Sequence, residues 1–577
     1  MIAMLSRCVT LSLFLINITI ANGQSDFIPY NTHTYYQLER YELLNGQTSP
    51  GYHSALAPQS RKAVAQYIDS SIIPNQSSAA DEFNAQYWKR ETWEWREGDS
   101  NITSKKPFLK HFFTYPNSFY TVHEKDFHLQ VSPILYVMAG NSGGNKKANY
   151  TYLNTRGIDI RGNISKRVGF YTMFTETQGS FANYVNDKVG YYSVDSLNSP
   201  IVPYEAFGKN FKTNGYDFIT ARGYVTFELV KNYIQFQFGY DKNFIGNGYR
   251  SLILSDQAAP YTFGKLSTKI WKLHYQSIFA QMNGNVGIPG NLYPKKFAAI
   301  HYLSLQVGKK LTLGVFESII FGRSDSTKNG TFDISYANPI IFYRAIEQAN
   351  GSYDNALLGI TFNYLFIKKM SAYGQIVLDE FVLQDVLKRN GWWGNKQGLQ
   401  LGLKYINVVG IKNLDAQLET NIVRPYMYAH KDYYTSYTHY NQPLAHPMGA
   451  NFTELIGILR YQPISRLQLT GKAIYTHWGD DSTKVGSQVS NNNGGNIFKS
   501  YDNVALANTY GNTIGQGIST QIMLLSLHAA FQVKHNLFID MQCILRNQTS
   551  DLAEKTYSIQ YLSLGFRYNI SPRIYEF

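Results

Sequence analysis

The sequence predicts an all-β protein: a transmembrane outer-membrane β-barrel of about eighteen antiparallel strands, with a small, partly helical N-terminal periplasmic region. Three observations predict it. The first is strict alternation. Leu399, Leu401, Leu403 and Tyr405 alternate with Gln400, Gly402 and Lys404. Leu414, Ala416, Leu418 and Ile422 alternate with Asp415, Gln417, Glu419 and Asn421, and Leu562–Ile570 does the same. A period of two gives a strand one apolar and one polar face. The second is an export signal followed by no apolar stretch of the ~20 residues that a spanning helix needs. The third is a regular alternation of short and long connectors between the strands, the signature of bacterial barrels.

The elements follow in order. Residues 1–23 read as a signal peptide: Arg7 supplies the positive charge, Val9–Ile20 the short apolar run, and Ala21-Asn22-Gly23 the small residues at the cleavage site. Cys8 precedes the apolar run, so it is not a lipid-anchoring cysteine. Residues 24–126 are expected to form a periplasmic, partly helical region. Arg61–Ser70 and Ala79–Arg96 have helix-compatible spacing, with Gly, Pro and Ser clusters between them.

The barrel is expected over 127–577. Its predicted strands are 127–139, 151–162, 167–177, 217–229, 233–241, 262–271, 273–283, 295–307, 311–323, 355–366, 370–383, 397–408, 413–424, 452–462, 465–477, 517–533, 535–547 and 557–569. Thr331–Tyr343 also reads as a strand, but counting it would put the connectors 425–451 and 478–516 on the short-turn side. It is therefore assigned to a loop folding over or into the barrel, with 324–354 plugging the lumen. Both chain ends are then expected in the periplasm. The terminal aromatic Phe577 is similar to an assembly recognition signal, although Pro572 interrupts the pattern before it.

Composition narrows the function. Aromatics make up 15% of residues, with Tyr 46 and Phe 34, which suits girdles at two membrane interfaces. Only Cys543 follows the predicted cleavage site, which excludes an intramolecular disulfide and any cysteine-based metal site. The net charge of +13 falls to +12 without Arg7, and the basic residues are scattered. Nucleic acid is therefore a poor partner, whereas an anionic surface polysaccharide or lipopolysaccharide fits better.

The unusual chemistry sits in the long connectors. Asp241, Lys242, Asn243 and Arg250 flank Gly246 and Gly248. This pattern fits a loop ion-paired over the lumen better than a phosphate cradle, since it opens no helix. Arg424, Tyr426, His430, Tyr440, Asn441, Gln442 and His446 form a second cluster. Tyrosine faces stack on sugar rings, and the polar groups bond hydroxyls and carboxylates, so these residues are candidates either for polysaccharide binding or for ordering the loop. His430, His439 and His446 lie nine and seven residues apart, outside zinc-motif spacing, so no metal or other cofactor is expected. No His-Glu-x-x-His motif occurs. Asp379 and Glu380, taken as strand neighbours, face opposite sides, and Asp480-Asp481 read as a solvated turn. A non-catalytic protein is expected.

The chain resembles the capsule-assembly Wzi family, particularly its gliding motility RemB-like branch. The resemblance rests on Gly239-Tyr240-Asp241-Lys242-Asn243-Phe244-Ile245-Gly246-Asn247-Gly248-Tyr249-Arg250-Ser251-Leu252, on Tyr336-Ala337-Asn338-Pro339, and on Gly351–Gly359. Asp379-Glu380-Phe381 and Arg424-Pro425-Tyr426 through His446-Pro447 extend it, with His53–Ala65 matching more loosely. The resemblance implies an eighteen-stranded outer-membrane barrel with a helical element on the periplasmic side, and a lectin-like role in organising surface polysaccharide. The alternatives are a structural subunit of a motility or secretion apparatus, a diffusion channel and a barrel enzyme.

Overall fold

The computed structural model describes residues 26–577 except 72–76, 97–102, 105–106, 166, 194–198, 285–294, 325–328, 340–341, 344–353, 482–490 and 502–507. The expected leader, 1–23, and the start of the Gly351–Gly359 motif lie outside the described residues. Eighteen long strands, among those described, close into an antiparallel barrel. They are β1 (Phe127–Gly144), β2 (Asn149–Ile164), β3 (Val168–Ser180), β4 (Gly215–Val230), β5 (Ile234–Asp241), β6 (Tyr261–Ile270), β7 (Leu273–Asn283), β8 (Lys295–Val307) and β9 (Leu311–Phe321). They continue with β10 (Asn355–Ile367), β11 (Met370–Leu378), β12 (Gln397–Tyr405), β13 (Leu414–Val423), β14 (Phe452–Ile464), β15 (Leu467–Asp480), β16 (Ile518–Lys534), β17 (Leu537–Ser550) and β18 (Tyr557–Tyr568). Each pairs with its sequence neighbour, and β18 closes on β1 with Tyr568 opposite Leu135. Every predicted strand is present, within a few residues at its ends.

On several strands the two faces are inverted relative to a water-soluble protein. On β13, Leu418 is 57% exposed while its neighbour Glu419 is 1% exposed. On β12, Leu401 and Leu403 face outward while Gln400 and Lys404 are buried. On β18, Leu562, Leu564 and Phe566 are exposed, and Ser563 and Arg567 are buried. Apolar residues outside and polar residues inside are stable only against hydrocarbon.

Among its described residues the N-terminal part forms three α-helices, α1 (Thr32–Asn45), α2 (Arg61–Ser71) and α3 (Ala79–Glu91). Asn31 caps α1, and Ser78 with Asp81 forms a capping box on α3. Arg61, buried, ties α2 to Glu91 at 3.1 Å and Glu94 at 2.6 Å. The helices dock on the short-turn end of the barrel. Arg40 bonds Asp81 at 2.9 Å, Asn407 at 3.0 Å, and Asp415 at the foot of β13. Asn84 reaches Gln462 at 2.8 Å, and Tyr87 reaches Asn536 at 2.7 Å.

Segments from both ends fill the lumen. From the short-turn end, Leu56–Ala57 enters and forms a two-residue antiparallel ladder with Phe244–Ile245. Those partners belong to the connector 242–260, which descends from the opposite end. The segment 569–577 then turns back inside: Arg573 pairs with Glu205 at 2.9 Å, Glu576 with Lys472 at 2.9 Å, and Tyr575 stacks on Tyr204 at 5.4 Å. The expectation that this end lies in the periplasm is corrected, since Phe577 is buried in the lumen core with Leu252, Ile253 and the inner faces of the strands.

The predicted lumen plug at 324–354 is also corrected. Its described part lies against the outer wall. Tyr336 and Tyr343 pack on Ala299, Ile319, Phe321 and Ala356, whose register points outward. Tyr275 donates to the Pro339 carbonyl at 2.6 Å, and the Tyr343 ring lies 4.3 Å from that of His301. The reason is chemical. His301 and Glu317 are cross-strand partners on an otherwise apolar wall, and the segment buries both. Glu317 also accepts the backbone N–H of Phe342.

Candidate functional site

With the lumen filled, the chemistry open to solvent gathers at the rim formed by the long connectors. Two of them are stitched together by backbone hydrogen bonds: Trp393 N–H donates to Thr509 at 3.1 Å, Gly511 N–H to Asn390 at 2.8 Å, and Asn512 N–H to Gly391 at 2.9 Å. Gly391 has φ +68°, and a Cβ there would lie 2.7 Å from the Asn512 nitrogen, so the approach requires glycine. The result is a half-buried aromatic wall. Trp393 meets Tyr501 at 4.8 Å between ring centres and Trp392 at 5.9 Å.

Charged groups frame this wall. Lys396, buried, reaches Glu380 at 3.2 Å and Asp379 at 3.8 Å, and lies 4.2 Å from the Tyr501 ring centre. The Tyr501 hydroxyl donates to Glu380 at 3.2 Å, and burial raises that phenol's pKa above its ordinary value. Asp379 and Glu380 therefore do not face opposite sides of a strand. β11 ends at Leu378, and both carboxylates turn toward one lysine. Arg424 holds the backbone behind the wall, donating from Nε to the Asn395 carbonyl at 2.7 Å and from Nη2 to the Trp392 carbonyl at 3.4 Å. Burial lowers its pKa.

The sequence candidates fall into three places. Arg424, Tyr426 and His430 converge on the aromatic wall. Tyr426 is buried with its ring edge-on to Trp393, its hydroxyl donating to Asn492 at 2.7 Å. His430 is buried with its ring edge-on to Tyr501, within 2.8 Å of the Thr435 hydroxyl, and burial pushes its pKa down to about 4. Tyr440, Asn441 and Gln442 sit at a second position, clamping the connector that precedes β4. Asn441 donates to Tyr192 at 3.0 Å, Gln442 to Glu205 at 2.6 Å, and Phe207 meets Tyr440 edge-on.

Asp241, Lys242, Asn243, Arg250 and His446 lie in the lumen. Lys242 donates to the carbonyls of Tyr204 and Asp256 at 2.7 and 3.0 Å, and burial lowers its pKa to about 8. Asp241 lies 3.8 Å from Arg222, and Asn243 accepts from Lys265 at 3.0 Å. Arg250 reaches Glu454 at 3.3 Å, and His446 reaches the same carboxylate at 2.8 Å. Gly248 packs so closely that a Cβ would lie 2.7 Å from Glu419. Asp480 and Asp481, expected to be solvated, are buried and paired with Lys555 at 2.7 Å and Lys499 at 2.8 Å.

Sequence reasoning missed Trp392, Trp393, Lys396 and Tyr501. A signal was present: two adjacent tryptophans bracketed by Gly391 and Gly394 in a long, otherwise polar connector.

No family model matches the chain, and no curated protein matches it in sequence. Among solved structures it is similar to Wzi, described as an outer membrane protein involved in group 1 capsule assembly in Escherichia coli and a carbohydrate-binding β-barrel. The two are 13% identical over 95% of this chain and 100% of that one, with a TM-score of 0.58. It is also similar to OccAB2 of Acinetobacter baumannii, at 9% identity over 76% of this chain and 98% of that one, with a TM-score of 0.40. OprD of Pseudomonas aeruginosa matches at 11% identity over 77% of this chain and 96% of that one, with a TM-score of 0.38. The fold is that of an outer-membrane β-barrel of the Wzi kind.

Proposed function

We propose that this protein resides in the outer membrane and binds surface polysaccharide, without catalysis, through the rim of its long connectors. The observation that carries the reading is the wall of Trp392, Trp393 and Tyr501 framed by Arg424, Lys396 and Glu380. Aromatic faces bind the apolar faces of sugar rings, and planar polar groups around them select hydroxyls and carboxylates. The packing of described residues inside the lumen supports the same reading, because it favours recognition at the rim over passage of a solute. The Wzi neighbour is described as carbohydrate-binding, in keeping with this reading.

In this proposal the short turns and the helices of 24–126 face the periplasm, the long connectors face outward, and residues 1–23 are removed on export. Placement in the gliding motility RemB-like branch rests on the loop motifs at 239–252 and 424–447. The test is a glycan array probed with the detergent-solubilised protein and its Trp393→Ala variant. Binding that the substitution markedly weakens supports the reading. Silence on glycans together with capture of a motility or secretion protein replaces it with the structural-subunit alternative.

A further inference from the structure

We propose that the turn 107–113 is a lipid anchor, dipping into the membrane leaflet at the short-turn end of the barrel. The inference needs the barrel to sit in a bilayer and is independent of the glycan reading. Phe108 and Leu109 are 59% and 67% exposed at the tip of a tight turn. The turn is closed by His111 N–H to the Phe108 carbonyl at 3.3 Å and by the Phe108–Phe112 bridge at 2.8 and 2.9 Å.

Leu109 and Lys110 have φ of +50° and +65°. This left-handed pair is the geometry that asparagine and glycine favour, and a β-carbon makes it costly. A leucine held there and aimed outward in water is doubly unfavourable, whereas in a bilayer its exposure becomes the stabilising contact.

The position agrees. Phe112 stacks on Phe119 at 4.6 Å, and Phe113 lies 6.4 Å from Tyr568. Tyr568 shares the outward register of Leu564 and Phe566 on β18, yet it is only 9% exposed. The turn is thus continuous with the lower rim of the apolar outer wall. Neighbouring turns at the same end present Trp271, Ile367, Val409 and Ile464, all more than half exposed. The exposed Lys110 and His111 beside the tip suit the phosphate layer, into which cationic side chains extend from an apolar anchor.

The test uses the full chain in a Cys8→Ser, Cys543→Ser background, reconstituted in phosphatidylglycerol–phosphatidylethanolamine vesicles. Leu109→Cys, Lys110→Cys and Lys125→Cys each carry an environment-sensitive fluorophore, and heat-modifiable gel mobility certifies the folded barrel. The label at 109 should emit to the blue and lose its signal to doxyl-labelled lipid but not to iodide. The label at 110 should lie shallower. Lys125, between Glu124 and Asp126, should be quenched by iodide alone. A flat profile, or a label at 109 shielded from iodide yet untouched by doxyl lipid, as burial under a protein would give, overturns the proposal.

Discussion

Replacing Arg250 by alanine should loosen the connector 242–260 inside the lumen while leaving the barrel folded. The guanidinium reaches Glu454 at 3.3 Å and also bonds the Glu576 carbonyl, with both charged partners almost wholly buried. Removing one member of such a pair costs about 3–5 kcal/mol, because the remaining carboxylate stays buried without its counter-charge. Other contacts persist. Glu419 still accepts from the Tyr249 and Arg250 amides at 2.6 and 3.0 Å, Leu252 N–H still donates to Gln375 at 2.8 Å, and Tyr428 still donates to the Leu252 carbonyl at 2.7 Å. The loop therefore stays seated but opens more easily. At about 1.4 kcal/mol per tenfold, amide protection over 244–254 should fall by roughly two to three and a half orders of magnitude in hydrogen exchange. Arg250→Met combined with Glu454→Gln, which leaves no bare charge, should fall less than the single variant. Unchanged protection in Arg250→Ala, or a double variant looser than the single, would refute the reasoning.

Further outcomes are expected. Glu42, buried in α1 and accepting Ser49 N–H at 2.8 Å, has its pKa raised to about 8 by burial. Its neutral form is favoured in the fold, so helix docking weakens as pH rises from the ordinary carboxylate range to about 8. Glu42→Gln should therefore protect α1 from exchange at pH 8.5 and change little at pH 4, and equal gains at both would count against it. Trp393→Ala should weaken glycan binding by about 2 kcal/mol, roughly 30-fold, without raising exchange in 425–451. Tyr426→Ala should lose binding and also raise exchange there, because that buried ring supports the wall rather than forming its surface. The intact protein in planar bilayers should show no steady porin-like conductance, and sustained open levels would mean the lumen is not filled as described. Glu317→Ala removes the acceptor for Phe342 N–H and should make 332–343 more open to protease.

The barrel was legible because its governing rule is local. Period-two alternation and connector length depend on a few consecutive residues, and both follow from the hydrocarbon outside and the satisfied backbone within. Where the prediction failed, the deciding contact lay far away in sequence. Nothing near Thr331–Tyr343 indicates that His301 and Glu317 leave a polar row on the outer wall that those residues cover. Nothing near Arg573 indicates that Glu205 waits inside the barrel. The helix Thr32–Asn45 escaped for a different reason. Its apolar residues, three tyrosines and three leucines, are spread around the axis, so it shows little of an amphipathic stripe, and docking against the barrel mouth holds it in place.

The candidate site shows the same division. Residue type located the right connectors, since Arg424, Tyr426 and His430 all reach the aromatic wall. Type alone does not separate a residue that presents a surface from one that supports it. Tyr426, at φ +65° and fully buried, has Gly494 against its backbone, where a Cβ would lie 2.5 Å from the Tyr426 nitrogen. Trp393 keeps part of its ring in solvent because its own connector is held open by the 509–512 backbone. The distinction is one of burial. A lumen occupied from both ends leaves the long connectors as the part of this chain that can meet a polymer too large to enter it. In the proposed function, recognition at the rim follows from how the interior is filled, and any variant that empties the interior without disturbing Trp393, Tyr501 and Arg424 should conduct and still bind.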